Sequence, residues 1–161
     1  MPPIGLEDLF VTSEQTNSLA PQSMAAAATA TGVTVDVKDR DSVVLELTLA
    51  APAGTPTGGT ITLVPMEGQQ ANGSDAAQVN GTDQVQAAYN ATFPTVLRYR
   101  YLGGVNGKLR YVTLRAVTAL TGGSSPTVVV AGNVLKGGLK YAGAQPAPGS
   151  YPQTPGTPLT N

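Results

Sequence analysis

The chain has 161 residues, enough for one domain, and only 12% of them are charged, about half the usual share. It contains no Cys and no His, which excludes disulfides, thiolate metal sites, Cys nucleophiles, the commonest general base and any Ser-His-Asp arrangement. A net charge of −1 leaves no basic face of the size nucleic acid requires.

In chain order, residues 1–31 read as an arm. Leu6, Leu9 and Phe10 form one short apolar turn, and the Ala run after Met24 has no partner face of its own. The acidic start, with no apolar core segment, does not match a signal peptide, and no apolar run reaches membrane-spanning length, so the chain is expected to be made in a cytoplasm. The β region begins near Val33: Val33, Val35 and Val37 alternate with Thr34 and Asp36. Past the charged corner at Lys38–Asp41, Val43, Leu45, Leu47 and Leu49 share one face of a strand, with Val44, Glu46 and Thr48 on the other.

Residues 51–59, rich in Pro and Gly, form a loop, and Thr60–Val64 a strand with Ile61 and Leu63 inward. Pro65 stops the ladder or marks an edge. The polar stretch 67–81 holds two Asn-Gly turns. Residues 83–93 are ambiguous: Val85, Ala88 and Tyr89 have helical spacing, and a strand followed by a loop fits equally. Val96–Leu102 and Lys108–Thr118 then read as a hairpin closed at Asn106-Gly107. Pro126–Val130 and Gly132–Leu135 complete the sheet region.

From residue 140 onward the chain is dense in Pro, a composition that favours polyproline II or disorder. Three segments result: an arm over 1–31, a β-sandwich or jelly-roll domain over 32–139, and a Pro-rich tail over 140–161. The fold class is all-β.

Motifs that carry chemistry fail on their details. Gly103–Lys108 lacks the first Gly and the Ser/Thr of a phosphate loop. Asp36, Asp39 and Asp41 are interleaved with Lys38 and Arg40, which repel a cation. Asn72, Asn80 and Asn90 match the glycosylation pattern, but turn chemistry accounts for the first two. No carboxylate pair has acid–base spacing, so no catalytic residue, cofactor or metal site is expected and the chain does not read as an enzyme.

One local cluster has character: Arg98, Arg100, Arg110 and Tyr111, around Tyr99 and Tyr101. Arg and Tyr are enriched at interface anchors, and a hairpin with inward Tyr and solvated Arg explains them as well. With Leu6, Leu9 and Phe10, these four are the candidate subunit or shell contacts.

The stretch Gly32-Val-Thr-Val-Asp-Val-Lys-Asp-Arg-Asp-Ser-Val-Val-Leu-Glu-Leu-Thr-Leu resembles tailed-bacteriophage virion proteins with a Gly-Val-Asp strand entry followed by Asp-Ser-Val-Val. The likeness continues at Tyr101-Leu-Gly-Gly, at Leu109-Arg-Tyr-Val-Thr-Leu-Arg and through Pro126–Gly138. The chain departs from that group in having Leu109-Arg110 in place of Lys-Arg, and in lacking Trp.

The resemblance implies a head decoration or cement protein with a β-sandwich or jelly-roll fold. Such a protein would be a homotrimer bound to the major capsid protein on the outside of the shell, without nucleic acid or membrane. It would be made in the host cytoplasm and located on the virion's capsid surface. Other virion roles (a head fibre base or a neck protein) and a bacterial adhesion or carbohydrate-binding module are the alternatives.

Overall fold

The computed structural model describes residues 14–89, 93, 95–104 and 107–139. Residues 1–13 and 140–161, and with them Leu6, Leu9, Phe10 and the tail, lie outside the described residues. Ten strands follow in order: β1 (Glu14–Ala25), β2 (Ala27–Thr31), β3 (Val35–Asp36), β4 (Arg40–Leu49), β5 (Gly58–Gly68), β6 (Ala77–Gln78), β7 (Val85–Ala88), β8 (Val96–Tyr101), β9 (Tyr111–Thr121) and β10 (Thr127–Leu139). Among the described residues there is no α-helix, only a 3-10 turn at Val79–Gly81.

All pairings are antiparallel and form two sheets. The first has the order β1-β10-β4-β8, and the second β2-β9-β5-β6. In the second, β3 continues along β9 beyond β2, and β7 pairs with β5 alongside β6. The pairs are therefore nested: β1 with β10, β2 and β3 with β9, β4 with β8, β5 with β6 and β7. Nested pairs distributed over two facing sheets are the connectivity of a jelly roll. The all-β sandwich expected from the sequence is the observed fold, and the strand order resolves it as a jelly roll.

Alternation placed the inward faces well. Val43, Leu45, Leu47 and Leu49 of β4 meet Ile61 and Leu63 of β5 and Val112, Leu114 and Ala116 of β9, all buried. Each fully buried Leu or Ile contributes roughly 1.5–3 kcal/mol. Leu114 packs onto β10 because residue 132 is Gly; a Cβ there would lie 2.7 Å from both Leu114 methyls. The two short runs expected at 126–130 and 132–135 are accordingly one strand.

Four expectations are corrected. The arm does not extend to residue 31: β1 pairs with β10 from Glu14 to Ala25, and β2 with β9 from Ala27 to Thr31. Ala is a weak strand former, and these Ala-rich segments pair because β10 and β9 present them with open ladder edges. Register shifts in β1 between Asn17 and Gln22 surround Pro21, an acceptable place for Pro because β1 is an edge strand.

The expected hairpin does not form. β8 pairs with β4 in one sheet and β9 with β5 in the other. The Gly104–Gly107 turn is tight, with reciprocal backbone bonds of 3.0 and 2.9 Å, but it joins sheets, not ladder partners. Strand pairing does not start at Val33, which is 65% exposed, but at Val35. Pro65 does not end its strand: β5 stays paired with β9 on both sides of it, and its other edge passes from β7 to β6 there. The ambiguous stretch after Asp83 contains strand β7.

Candidate assembly surface

Among the described residues, several ion pairs cluster toward one end of the jelly roll. At the end where β1 begins and β10 stops, Glu14 accepts from Arg40 Nη2 and Lys136 Nζ, each at 2.9 Å. Arg110 donates to Asp36 Oδ2 through Nε (3.0 Å) and Nη2 (2.8 Å). Its guanidinium also lies 5.0 Å from the Tyr111 ring centroid. The hydrogen bonds from Arg110, together with the Lys38 amide, hold the Asp36 carboxyl below the usual carboxylate value against the opposing effect of desolvation.

Two phenols link the sheets at this end. Tyr101 of β8, fully buried, donates to Glu67 Oε2 of β5 at 2.5 Å and accepts from the Leu109 amide at 2.9 Å. Tyr99 donates to Asp83 Oδ2 at 2.6 Å, and Asn80 Nδ2 donates to the same oxygen at 2.9 Å. Desolvation first, and then the facing carboxylate, raises both phenols above their ordinary value. They therefore remain donors, and the arrangement acts as a strut between sheets. Among the described residues no group of three or more His, Cys, Asp or Glu could hold a metal ion.

Among the described residues, the connections at the opposite end carry no charged side chain. No Asp, Glu, Lys or Arg occurs between Glu14 and Asp36, between Glu46 and Glu67, between Asp83 and Arg98, or between Arg115 and Lys136. Besides β2–β3 in the first, the gaps take in four connections: β1–β2, β4–β5, β7–β8 and β9–β10. Nested pairing brings these four connections to one end, as the partners Ala25 with Thr127, Gly58 with Thr121 and Thr48 with Val96 show.

This end is held by its backbone. The Ser124 amide donates to Gly54 O, Thr57 to Thr121 O and Ala53 to Thr127 O, at 2.9, 2.9 and 2.8 Å. Gly54, Thr55, Gly122, Gly123 and Ser125 all have positive φ, so these turns are closely specified. At the rim, Leu49, Ala50, Ala51, Pro52, Tyr89, Phe93 and Thr95 line a cleft of about 250 Å³. In it, the Tyr89 and Phe93 rings stand 5.0 Å apart and tilted by 55°.

The four expected Arg and Tyr contacts do not form one patch. Arg98 and Arg100 are exposed on β8, an edge strand of the first sheet, where Arg98 Nε donates to Glu46 Oε2 of the adjacent strand at 2.8 Å. Charged side chains on an edge strand discourage unwanted pairing with other chains. Arg110 and Tyr111 lie together at the start of the second sheet's β9. The charge-free end was not anticipated. Its signal was present as four gaps in the charge pattern, which acquire meaning only once the topology gathers them.

No protein-family model and no curated protein matches the chain. It is similar to solved structures from viruses. One is the infectious bursal disease virus VP2 subviral particle, with 10% identity over 88% of this chain and 38% of that chain and a TM-score of 0.48. A second is infectious bursal disease virus strain Gx, with 14% identity over 77% and 31% and a TM-score of 0.42. A third is Desmodium yellow mottle tymovirus, with 10% identity over 86% and 93% and a TM-score of 0.33. The chain spans little more than a third of the first of these and less of the second. No TM-score among the three reaches 0.5, so none bears on the function of this chain.

Proposed function

We propose that the chain is a non-enzymatic structural virion protein that binds the outside of a phage capsid as a homotrimer and stabilises the shell. The observation that carries this reading is the charge-free end. Depletion of charge marks the buried centre of protein interfaces, and a firmly hydrogen-bonded surface of small side chains loses little entropy on docking. With that end against the major capsid protein, the charged end faces solvent and keeps the particles apart. A protein that binds only the assembled shell stabilises it by mass action. The sequence resemblance to phage decoration proteins points the same way.

The test is co-sedimentation of the purified protein with shells of the major capsid protein, beside a measurement of its mass in solution. The expected result is a trimer that saturates the shells, and loss of occupancy on introducing Ala51→Asp with Ser124→Asp. A monomer that ignores shells, or full occupancy by the charged variant, would overturn the reading.

A further inference from the structure

We propose that the chain's own residues 1–13 cross the outer face of the first sheet and seat Leu9 and Phe10 in a cleft beside Glu14. The cleft has a volume of about 300 Å³ and is bounded by Glu14 and Gln15 of β1, Leu135 of β10, and Ser42 and Val44 of β4. Directly paired residues on neighbouring strands point to the same side of a sheet. One row across the outer face therefore reads Gln15, Leu135, Val44, Arg100. Its middle is apolar and half-buried, and its far end is a cation. The next row, Asn17, Asn133, Glu46, Arg98, is polar throughout. The apolar strip is thus one row wide, which suits a single extended chain and not the face of a second domain.

The point of attachment selects the occupant. Residues 1–13 join β1 at Glu14, on the lip of the cleft. A segment tethered there meets the cleft at an effective concentration on the order of millimolar, an advantage no segment of another molecule has. Three strand gaps, roughly 14 Å, separate Gln15 from Arg100. From Glu14 back to Asp8 the chain reaches up to about 20 Å when extended. An arm crossing the strands therefore lays Leu9 and Phe10 over Leu135 and Val44, and delivers Glu7 and Asp8 to Arg100. Arg100 is exposed and, among the described residues, has no ion pair. Continuing β1 along β10 in the existing register would instead carry Phe10 past Leu139, the last residue of β10, and away from the apolar row.

The seating needs no shell, so it is measured on the free protein and stands or falls separately from shell binding. The absence of Cys makes a direct test available in the full-length chain. One variant carries Val11→Cys with Ser42→Cys at the cleft. A control carries Val11→Cys with Asn17→Cys, an exposed site on the polar row at a similar distance from Glu14. Under mild oxidation of dilute protein, the first is expected to close an intrachain disulfide about tenfold faster than the control. Adding Leu9→Asp with Phe10→Asp, a change outside the sandwich, should remove that excess. Arg100→Glu should slow closure roughly two- to fivefold, and Glu7→Lys with Asp8→Lys in the same chain should restore it.

Equal rates in the two variants, or an excess that survives the aspartates, overturn the proposal. Disulfides formed between chains in place of the intrachain product overturn it as well, because they would give the cleft to another copy. Closure indifferent to Arg100→Glu overturns the path across the strands.

Discussion

At the end of the sandwich where β1 starts and β10 stops, charged and phenolic groups satisfy one another: Glu14 with Arg40 and Lys136, Asp36 with Arg110, Glu67 with Tyr101, Asp83 with Tyr99. At the other end the described connection residues are uncharged, and backbone groups of the β4–β5 and β9–β10 turns satisfy one another. The same fold thus carries one end whose side chains are partnered internally and one whose side chains are available to something else. The charged end should therefore govern stability, and the charge-free end association.

The largest stability effect is expected at the strut. Tyr101→Ala empties a fully buried site and should cost about 3–5 kcal/mol, read as a fall in the urea midpoint. Tyr101→Phe removes only the hydroxyl but leaves Glu67 and the Leu109 amide without their partner, for about 1.5–3 kcal/mol. If both variants unfold like the parent, the charged end does not govern stability.

At the opposite end, Gly123→Ala should cost roughly 1–3 kcal/mol. A Cβ on that left-handed residue meets Gly54 O at 2.1 Å, and the turn must shift. Ser124→Asp, one residue on and exposed, should change stability by no more than about 0.5 kcal/mol while lowering shell occupancy. For Ser124→Asp, a change in stability without a change in binding would dissolve the contrast between the ends.

The smallest effect is that of Asp36→Asn. The Arg110 pair is about half exposed and screened by salt. Asp36 titrates below its unfolded value, so its contribution is present above the usual carboxylate range and is lost as pH falls through the folded value. The variant should therefore match the parent at low pH and fall slightly below it near neutrality, in paired thermal scans across that range.

Much of the sandwich was legible in the sequence, because burial follows a local period. Val43 to Leu49, and Ile61 with Leu63, showed their shared face without reference to a partner. Pairing was not legible. Asn106-Gly107 signals a tight turn, but whether the flanking strands pair is decided by which ladder edges are open, and β4 offered one to β8. The Ala-rich residues 24–30 carry almost no periodic signal, and only the edges of β9 and β10 make them strands. Of the anticipated contacts, Arg110 and Tyr111 do sit together, whereas Arg98 and Arg100 serve the edge of the other sheet.

The nested pairing also governs how the chain can fold. The innermost pairs, β5 with β6 and β7, join segments close in sequence, while β1 must wait for β10, the last strand made. Such non-local closure gives a high contact order and folding on the scale of roughly milliseconds to seconds. A nascent chain on the ribosome therefore cannot complete its first sheet until Leu139 has emerged, and the uncovered edge of β10 is the place where a second chain's β1 would compete for the same ladder.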